Sequence, residues 1–521
     1  MPEVLDERVA LVSGRSARGS LLYRLITPTT AAWKGLRTGS GFLRTGCCSV
    51  RSVADPQPEQ LARALIGLLE WAQSLGSAEG DDGLGDRLRD HLGGDTKGLP
   101  VVSQALAGYQ RVNFQVAIDA YLHGERRAEL IGLPVMEGYR VGLAELLKGG
   151  RHSPWFDEGD AGPIEYEPVQ VGERRIMCVA AGLWLISDRD EPLLLMLKRS
   201  DHGPDRTELG LEIVARERET AESLLGELER LMAEQNVYRG RILVLSGSPF
   251  GGVGVEIQRL PAVRREQIVF PAGVLERIER HTKTFAEHAD ALRAAGRHLK
   301  RGLLLHGPPG TGKTLTVMYL SQLMPDRTVL LLSGHALGAV SAACEMAREL
   351  APAMLVLEDV DLVAENRMHG HPTSLLFDLL NQMDGLNEDS DIVFVLTTNR
   401  PEVIEPALAA RPGRIDLAVN MPLPDDDGRS RLLDLYGVGL QLDVRDRVQF
   451  ITATEGTTPA FIREVLRRAA LLAAERGDSS HVSDELLSAA VQELSEGSDQ
   501  LTTSLLGGPP VPDSVQAPGE Q

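Results

Sequence analysis

The sequence predicts an α/β fold: a parallel sheet with helices on both faces, built behind a phosphate-binding P-loop. Three observations carry this. Residues 307–314 read Gly-Pro-Pro-Gly-Thr-Gly-Lys-Thr directly after the apolar run Leu303-Leu304-Leu305, and a helix-compatible stretch, Leu315–Leu323, follows. Strand-like and helix-like segments then alternate up to Pro424, the rhythm of a doubly wound parallel sheet. From Asp425 to Ser495 the pattern is helical only.

The loop dictates a chemistry. Gly307, Gly310 and Gly312 let successive backbone N–H groups turn inward around an anion, with Pro308, Pro309 and Thr311 completing the turn. Lys313 then reaches the β- and γ-phosphates of a nucleotide, and the Thr314 hydroxyl ligates Mg²⁺. The helix that starts there points its positive end at the same phosphates.

At 521 residues the chain has room for about three or four domains, and 43% apolar residues suffice for real cores. The net charge of −20 makes nucleic acid or an anionic membrane an unlikely partner. The longest apolar stretch, Ile176–Ile186, is too short to span a bilayer and reads as a buried strand. Cysteines at 47, 48, 178 and 344 form no spaced metal pair, which fits free thiols in a reducing, cytoplasmic setting. Residues 1–54 read as a disordered or leader segment. Between Arg8 and Ala54 there are eight Arg/Lys and no acid, while Glu3, Asp6 and Glu7 at the start argue against a transit peptide.

Residues 55–150 read as a helical N-terminal region, with helices from Asp55, over roughly Val101–Leu122 and over Tyr139–Leu147. Residues 163–260 read as an α+β module. Its strands are Ile176–Ile186, Pro192–Lys198, Glu208–Ala215, Gly240–Leu245 and Val253–Leu260; a hairpin turn falls at Asp188–Glu191 and an amphipathic helix over Glu217–Gln235. Residues 270–424 form the P-loop αβ subdomain, 425–495 a helical subdomain and 496–521 a disordered tail.

A second element completes the site. The buried-strand run Met354–Leu357 ends in Glu358-Asp359-Val360-Asp361. Beside a phosphate loop, one carboxylate of Glu358-Asp359 orders Mg²⁺ and the other polarises a water for attack on the γ-phosphate. The run Val393–Leu396 ends in Thr397-Thr398-Asn399, which places Asn399 to orient that water or touch the γ-phosphate.

With these pieces in order, residues 270–495 resemble the AAA ATPase family. Gly307–Thr314 looks like its Walker A motif, Leu379–Leu386 (LLNQMDGL) its “LLxxMDGL” stretch, Thr398–Pro401 its sensor-1 region and Ala410–Asp416 its second region of homology. Pro422–Arg429 and Glu455–Ala469 resemble its helical lid. The resemblance implies that Lys313 and Thr314 bind phosphate and Mg²⁺. It implies Glu358 on the metal side, Asp359 as catalytic base and Asn399 as sensor, with Arg411 and Arg414 as arginine fingers reaching a neighbouring subunit's nucleotide. It also implies a homo-oligomeric ring, a hexamer, acting on a protein target. Two departures stand out. The carboxylate order is Glu-Asp rather than Asp-Glu, as in the subgroup that includes the mitochondrial Rieske-protein translocase; the shorter base predicts slow hydrolysis. The segment Ser333–Ala339, where many unfoldases carry an aromatic pore-loop residue, offers only His335 and Leu337, and Arg367–His371 stands where a second, basic pore loop would be.

The expected function is an ATP hydrolase that uses Mg²⁺ and ATP to remodel a protein or macromolecular target selected by the N-terminal region. The alternative is a nucleotide-gated scaffold with little hydrolysis. A small-molecule kinase fits the arginine-bearing segment and the lid poorly.

Overall fold

Leu193, Leu195 and Leu197 are buried on one side of a strand, and Leu194 and Met196 on the other, so the first sheet must be covered on both faces. The computed structural model describes residues 67, 84–124, 126–133, 142–147, 161–199, 208–247, 253–362, 381–382, 390–402, 415–477 and 481–496. The chain divides into two units, Met1–Glu79 and Gly80–Gln521; only Gly67 is described in the first, and the sheets lie in the second. The leader read at 1–54 and the tail beyond Glu496 lie outside the described residues.

The first sheet runs β1 (Val101–Leu106), helix α1 (Arg111–Leu122), β2 (Arg127–Ile131), β3 (Glu165–Val171), β4 (Arg174–Asp188), β5 (Glu191–Arg199), β6 (Leu209–Ala215) and helix α2 (Arg218–Glu234). Its order is β1-β6-β5-β4-β2, with β3 also on β4, and every pair is antiparallel. The β4–β5 turn holds Arg189 and Asp190 at φ 50 and 67, the left-handed pair that matches strand twist in a two-residue hairpin. Helices α1 and α2 cover one face, where the Phe114 and Trp184 rings meet edge to face at 5.8 Å. Short helices Leu84–His91 and Leu143–Leu147 cover the other.

This corrects the reading of 55–150 as a helical region separate from a module at 163–260. Val101 and Val102 do not start a helix; they pair with Val214 and Ile213 as an edge strand, and the helix begins at Arg111. Strand pairing satisfies a β-branched run better than the helical spacing that starts only at Leu106. Arg127–Ile131, unread in the sequence, pairs with β4.

The second sheet contains β7 (Ile242–Gly247), β8 (Val253–Gln258), a helix α3 (Val274–Glu279), β9 (Arg301–His306), α4 (Lys313–Leu323), β10 (Thr328–Ser333), α5 (Val340–Glu349), β11 (Ala353–Glu358), β12 (Ile392–Thr398) and β13 (Leu417–Asn420). The order is β13-β9-β12-β11-β10-β7-β8, parallel throughout except for β8. Helix α4 packs on one face with Leu303 and Leu305, and α5 on the other with Leu304 and Leu355. The P-loop parallel sheet with helices on both faces is therefore present.

Its edge is a second correction. β7 and β8, expected in the α+β module, instead extend the P-loop sheet: Ile242 pairs with Val329 and Val244 with Leu331. The hairpin covers main-chain groups on β10 that would otherwise form a bare edge. The two halves also share a core. Val112, Val171, Cys178 and Tyr238 pack in the same cluster as Leu243, Leu245, Leu330, Leu332 and Leu337. The Tyr238 hydroxyl donates to Tyr109 O at 2.9 Å, and Arg239 donates to Glu349 O and Ala351 O at 3.2 and 3.3 Å, closing the C-terminus of α5. Leu337, in the expected pore-loop position, is 2% exposed within the short helical turn Gly334–Ala339.

The C-terminal subdomain comprises α6 (Asp426–Tyr436), β14 (Gln441–Asp443), α7 (Arg447–Ala453), α8 (Pro459–Glu475), β15 (His481–Ser483) and α9 (Asp484–Glu496). Asp425 caps α6 by accepting Gly428 N–H at 2.8 Å, and Thr458 caps α8 by accepting Phe461 N–H at 3.2 Å. The expectation of helices alone is corrected by the parallel pair β14–β15. Each strand has only three residues, too short for a period-2 signal, and buried Val482 fixes β15.

Candidate active site

β9 delivers the chain to the loop at His306, and α4 takes it up at Lys313. Gly307 has φ +150, and a Cβ there would stand 2.5 Å from the Met421 carbonyl at the end of β13. Gly310 has φ +79, and a Cβ would stand 2.9 Å from Ala460 Cβ in the lid. Ala460 N–H donates to Gly310 O at 3.3 Å, so the N-terminus of α8 sits against the loop. The Thr311 hydroxyl donates to Pro308 O at 2.9 Å. Lys313 is buried, and its Nζ donates to Gly307 O and Pro308 O, both at 2.8 Å. Burial lowers the Lys313 pKa, while the charges of Asp359 and Asp361 oppose that shift.

β11 and β12 lie side by side, which brings the carboxylate run to the Asn399 end of its neighbour. Glu358 lies near Thr314: burial, with nearby Asp359 adding to it, raises the Glu358 pKa, and the Thr314 side chain opposes the rise. Its Oε1 is buried without a hydrogen-bond partner. Asp359 follows at φ +51, a left-handed conformation unusual outside glycine. Its N–H donates to Thr397 Oγ1 at 3.0 Å, and its Oδ1 accepts from Asn399 Nδ2 at 3.2 Å. The structure thus brings together Thr314 with Glu358, and Asp359 with Asn399.

The loop, Asp359 and Asn399 open on a cavity of about 630 Å³, within the roughly 300–1,000 Å³ of small-molecule sites. Pro309, Gly310, Thr311, Gly312, Lys313, Thr314, Asp359 and Asn399 line one wall. Gln267–Phe270 form a second: Ile268 and Phe270 pack into the sheet core, Val269 into the lid core. The lid supplies Tyr436 from α6 and Arg463, Glu464 and Arg467 from α8. Burial raises the Tyr436 pKa against the pull of Arg463, and Glu464 pairs with Arg467 at 2.5 Å.

Sequence reasoning missed the lid residues and Asp361. Ala460, Arg463, Glu464 and Arg467 recur at three- and four-residue steps along one face of α8, a stripe visible only once the helix is known to face the loop. Arg411 and Arg414 lie outside the described residues, as do Arg367–His371 and most of Leu379–Leu386. Only the root of the arginine segment is described: Asp416 accepts Gly302 N–H at 2.8 Å and ties that segment to β9.

The sequence profile of the ATPase family associated with various cellular activities (AAA) matches residues 303–423, the stretch from β9 through the loop, the carboxylates and Asn399 to β13. The chain carries an AAA ATPase domain. It is 29% identical over 239 residues to a proteasome-activating nucleotidase of Methanothermobacter thermautotrophicus, covering 42% of this chain and 57% of that protein. It is 32% identical over 253 residues to the ATP-dependent zinc metalloprotease FtsH 1 of Conexibacter woesei, covering 44% and 38% respectively. The chain therefore spans about half the length of these curated relatives, or less. The AAA family implies ATP and Mg²⁺. The residues fit both: a loop whose Gly307, Gly310 and Gly312 all take positive φ, and a buried, unpartnered Glu358 oxygen near Thr314. Among the described residues no helix is long and apolar enough to cross a membrane.

Proposed function

We propose that this chain is an ATP hydrolase that couples cleavage of Mg-ATP to remodelling of a protein target. One observation carries the reading: the phosphate loop with Lys313 and Thr314, and the Asp359–Asn399 pair, converge at one cavity that the lid also lines, with Glu358 beside Thr314. Thr314 and Glu358 hold the metal, and when bound Mg²⁺ supplies charge neutralisation across the phosphates. The loop amides and Lys313 bind the phosphates, for which Lys313 exchanges its two carbonyl partners. Asp359 takes the proton of the attacking water, and Asn399 fixes the carboxylate that does so. The lid closes over the nucleotide through α8.

The protein assembles as a homo-oligomeric ring, a hexamer, in which Arg411 and Arg414 complete the neighbour's site; an arginine fork suits the γ-phosphate and makes cleavage depend on assembly. The N-terminal half selects the target, and the site of action is the cytoplasm. Phosphate release by the assembled protein tests the first claim. Activity above a Lys313→Ala control is expected, and none in any oligomeric state sinks it. Mixing Lys313→Ala with Arg411→Ala subunits tests the second: each alone is inactive, and mixed rings recover turnover only if the arginine acts between subunits.

A further inference from the structure

The third carboxylate of the strand-end run, Asp361, is 5% exposed and is not among the residues that line the cavity, although its charge is felt at Lys313. It accepts two hydrogen bonds from the residues that end β12: Thr398 Oγ1 at 2.9 Å and the Asn399 N–H at 3.2 Å. Thr398 Oγ1 in turn accepts Arg400 N–H at 3.0 Å, so one carboxylate oxygen organises the main chain from 398 to 400. That main chain aims the Asn399 side chain at Asp359.

We infer that Asp361 is a positioning residue for the hydrolytic step: it fixes the backbone from which Asn399 holds Asp359, without touching nucleotide or water. The inference rests on the proposed ATPase reading. Two features favour it over a plain structural bond. First, the acceptor is a charged group kept in a buried place, where its hydrogen bonds are stronger than neutral ones. Second, both donors belong to the segment whose next side chain contacts Asp359, so movement of 398–399 by a few tenths of an ångström is felt at the base.

The test is a cycle of Asp361→Ala, Asn399→Ala and the double variant, with kcat and KM for ATP measured on the assembled protein. Asp361→Ala lowers kcat roughly tenfold, the loss expected when one such bond is removed, and leaves KM within about twofold. The double variant is no slower than Asn399→Ala alone, because the two residues act in series. Asp361→Asn, whose amide oxygen accepts the same two donors, recovers most of the rate. Losses that multiply in the double variant overturn the inference. Should Asp361→Ala not fold, Thr398→Val removes the other half of the same contact and must show the same non-additivity with Asn399→Ala. Amide hydrogen exchange at Asn399 gives a readout independent of turnover: it quickens in Asp361→Ala but not in Asp361→Asn. Unchanged exchange sinks the positioning role even if the protein proves inactive, whereas inactivity with quickened exchange sinks only the ATPase reading.

Discussion

At the scale of single residues, Asp359 is the most constrained position in the site. Its backbone is left-handed at φ +51, held there by the Thr397 hydroxyl, and its side chain is held by Asn399. Aspartate and asparagine tolerate this conformation better than other L-residues, whereas alanine adds about 1 kcal/mol of strain. Asp359→Asn is therefore the clean probe of the proposed base role. Turnover should fall by about a hundredfold or more while nucleotide affinity stays within about twofold, as read by phosphate release beside a fluorescent-nucleotide titration. Equal losses of binding and turnover would instead point to a disrupted loop. Gly310→Ala should do the opposite and abolish binding, since its Cβ would meet both Ala460 and Thr458 Oγ1 at about 3 Å. The placement of the loop, Glu358, Asp359 and Asn399 at strand ends was legible in the sequence because each follows an apolar strand run. Asp361 was not, because its role is defined by partners on another strand.

Among the elements, the parallel sheet was legible because buried strands such as Ile392–Thr398 read as continuous apolar runs between glycine- or acid-marked ends. β1 was not, because its first residues carry weak amphipathic signals of both periods and only pairing with β6 decides between them. Nor did any local pattern say which sheet β7 and β8 would join. The helical passage before β9 carries a pH signature. His281 sits half-buried with Nε2 unpartnered. Burial, opposed by Asp416 and helped by Arg301, lowers its pKa below the ordinary 6.5. The unfolded chain then binds more protons than the folded one below about pH 6.5, so the stability tied to this residue is fully present above that value and is lost as pH falls through the depressed pKa. His281→Gln should flatten the dependence of the urea midpoint on pH between about pH 8 and about pH 5. A variant as pH-sensitive as the parent would place that dependence elsewhere.

For the molecule as a whole, the hairpin 242–258 decides what can stand alone. Leu243 and Leu245 are buried with Leu330, Leu332 and Leu337, and each such side chain is worth about 1.5–3 kcal/mol of burial. A fragment spanning 263–496 would retain the loop, Glu358, Asp359 and Asn399 yet expose β10 as an unpaired, apolar edge. It should run as heterogeneous aggregate in the void volume on size-exclusion chromatography, while a fragment spanning 84–496 elutes as one discrete species; discrete elution of the shorter piece would show that the hairpin is dispensable. The same stitching limits protein engineering. A chimera that grafts this front half onto a foreign motor, cut where the linear map places the boundary, would tear one sheet in two. A workable splice must leave residues 237–258 with the P-loop sheet, or redesign the flank they shelter.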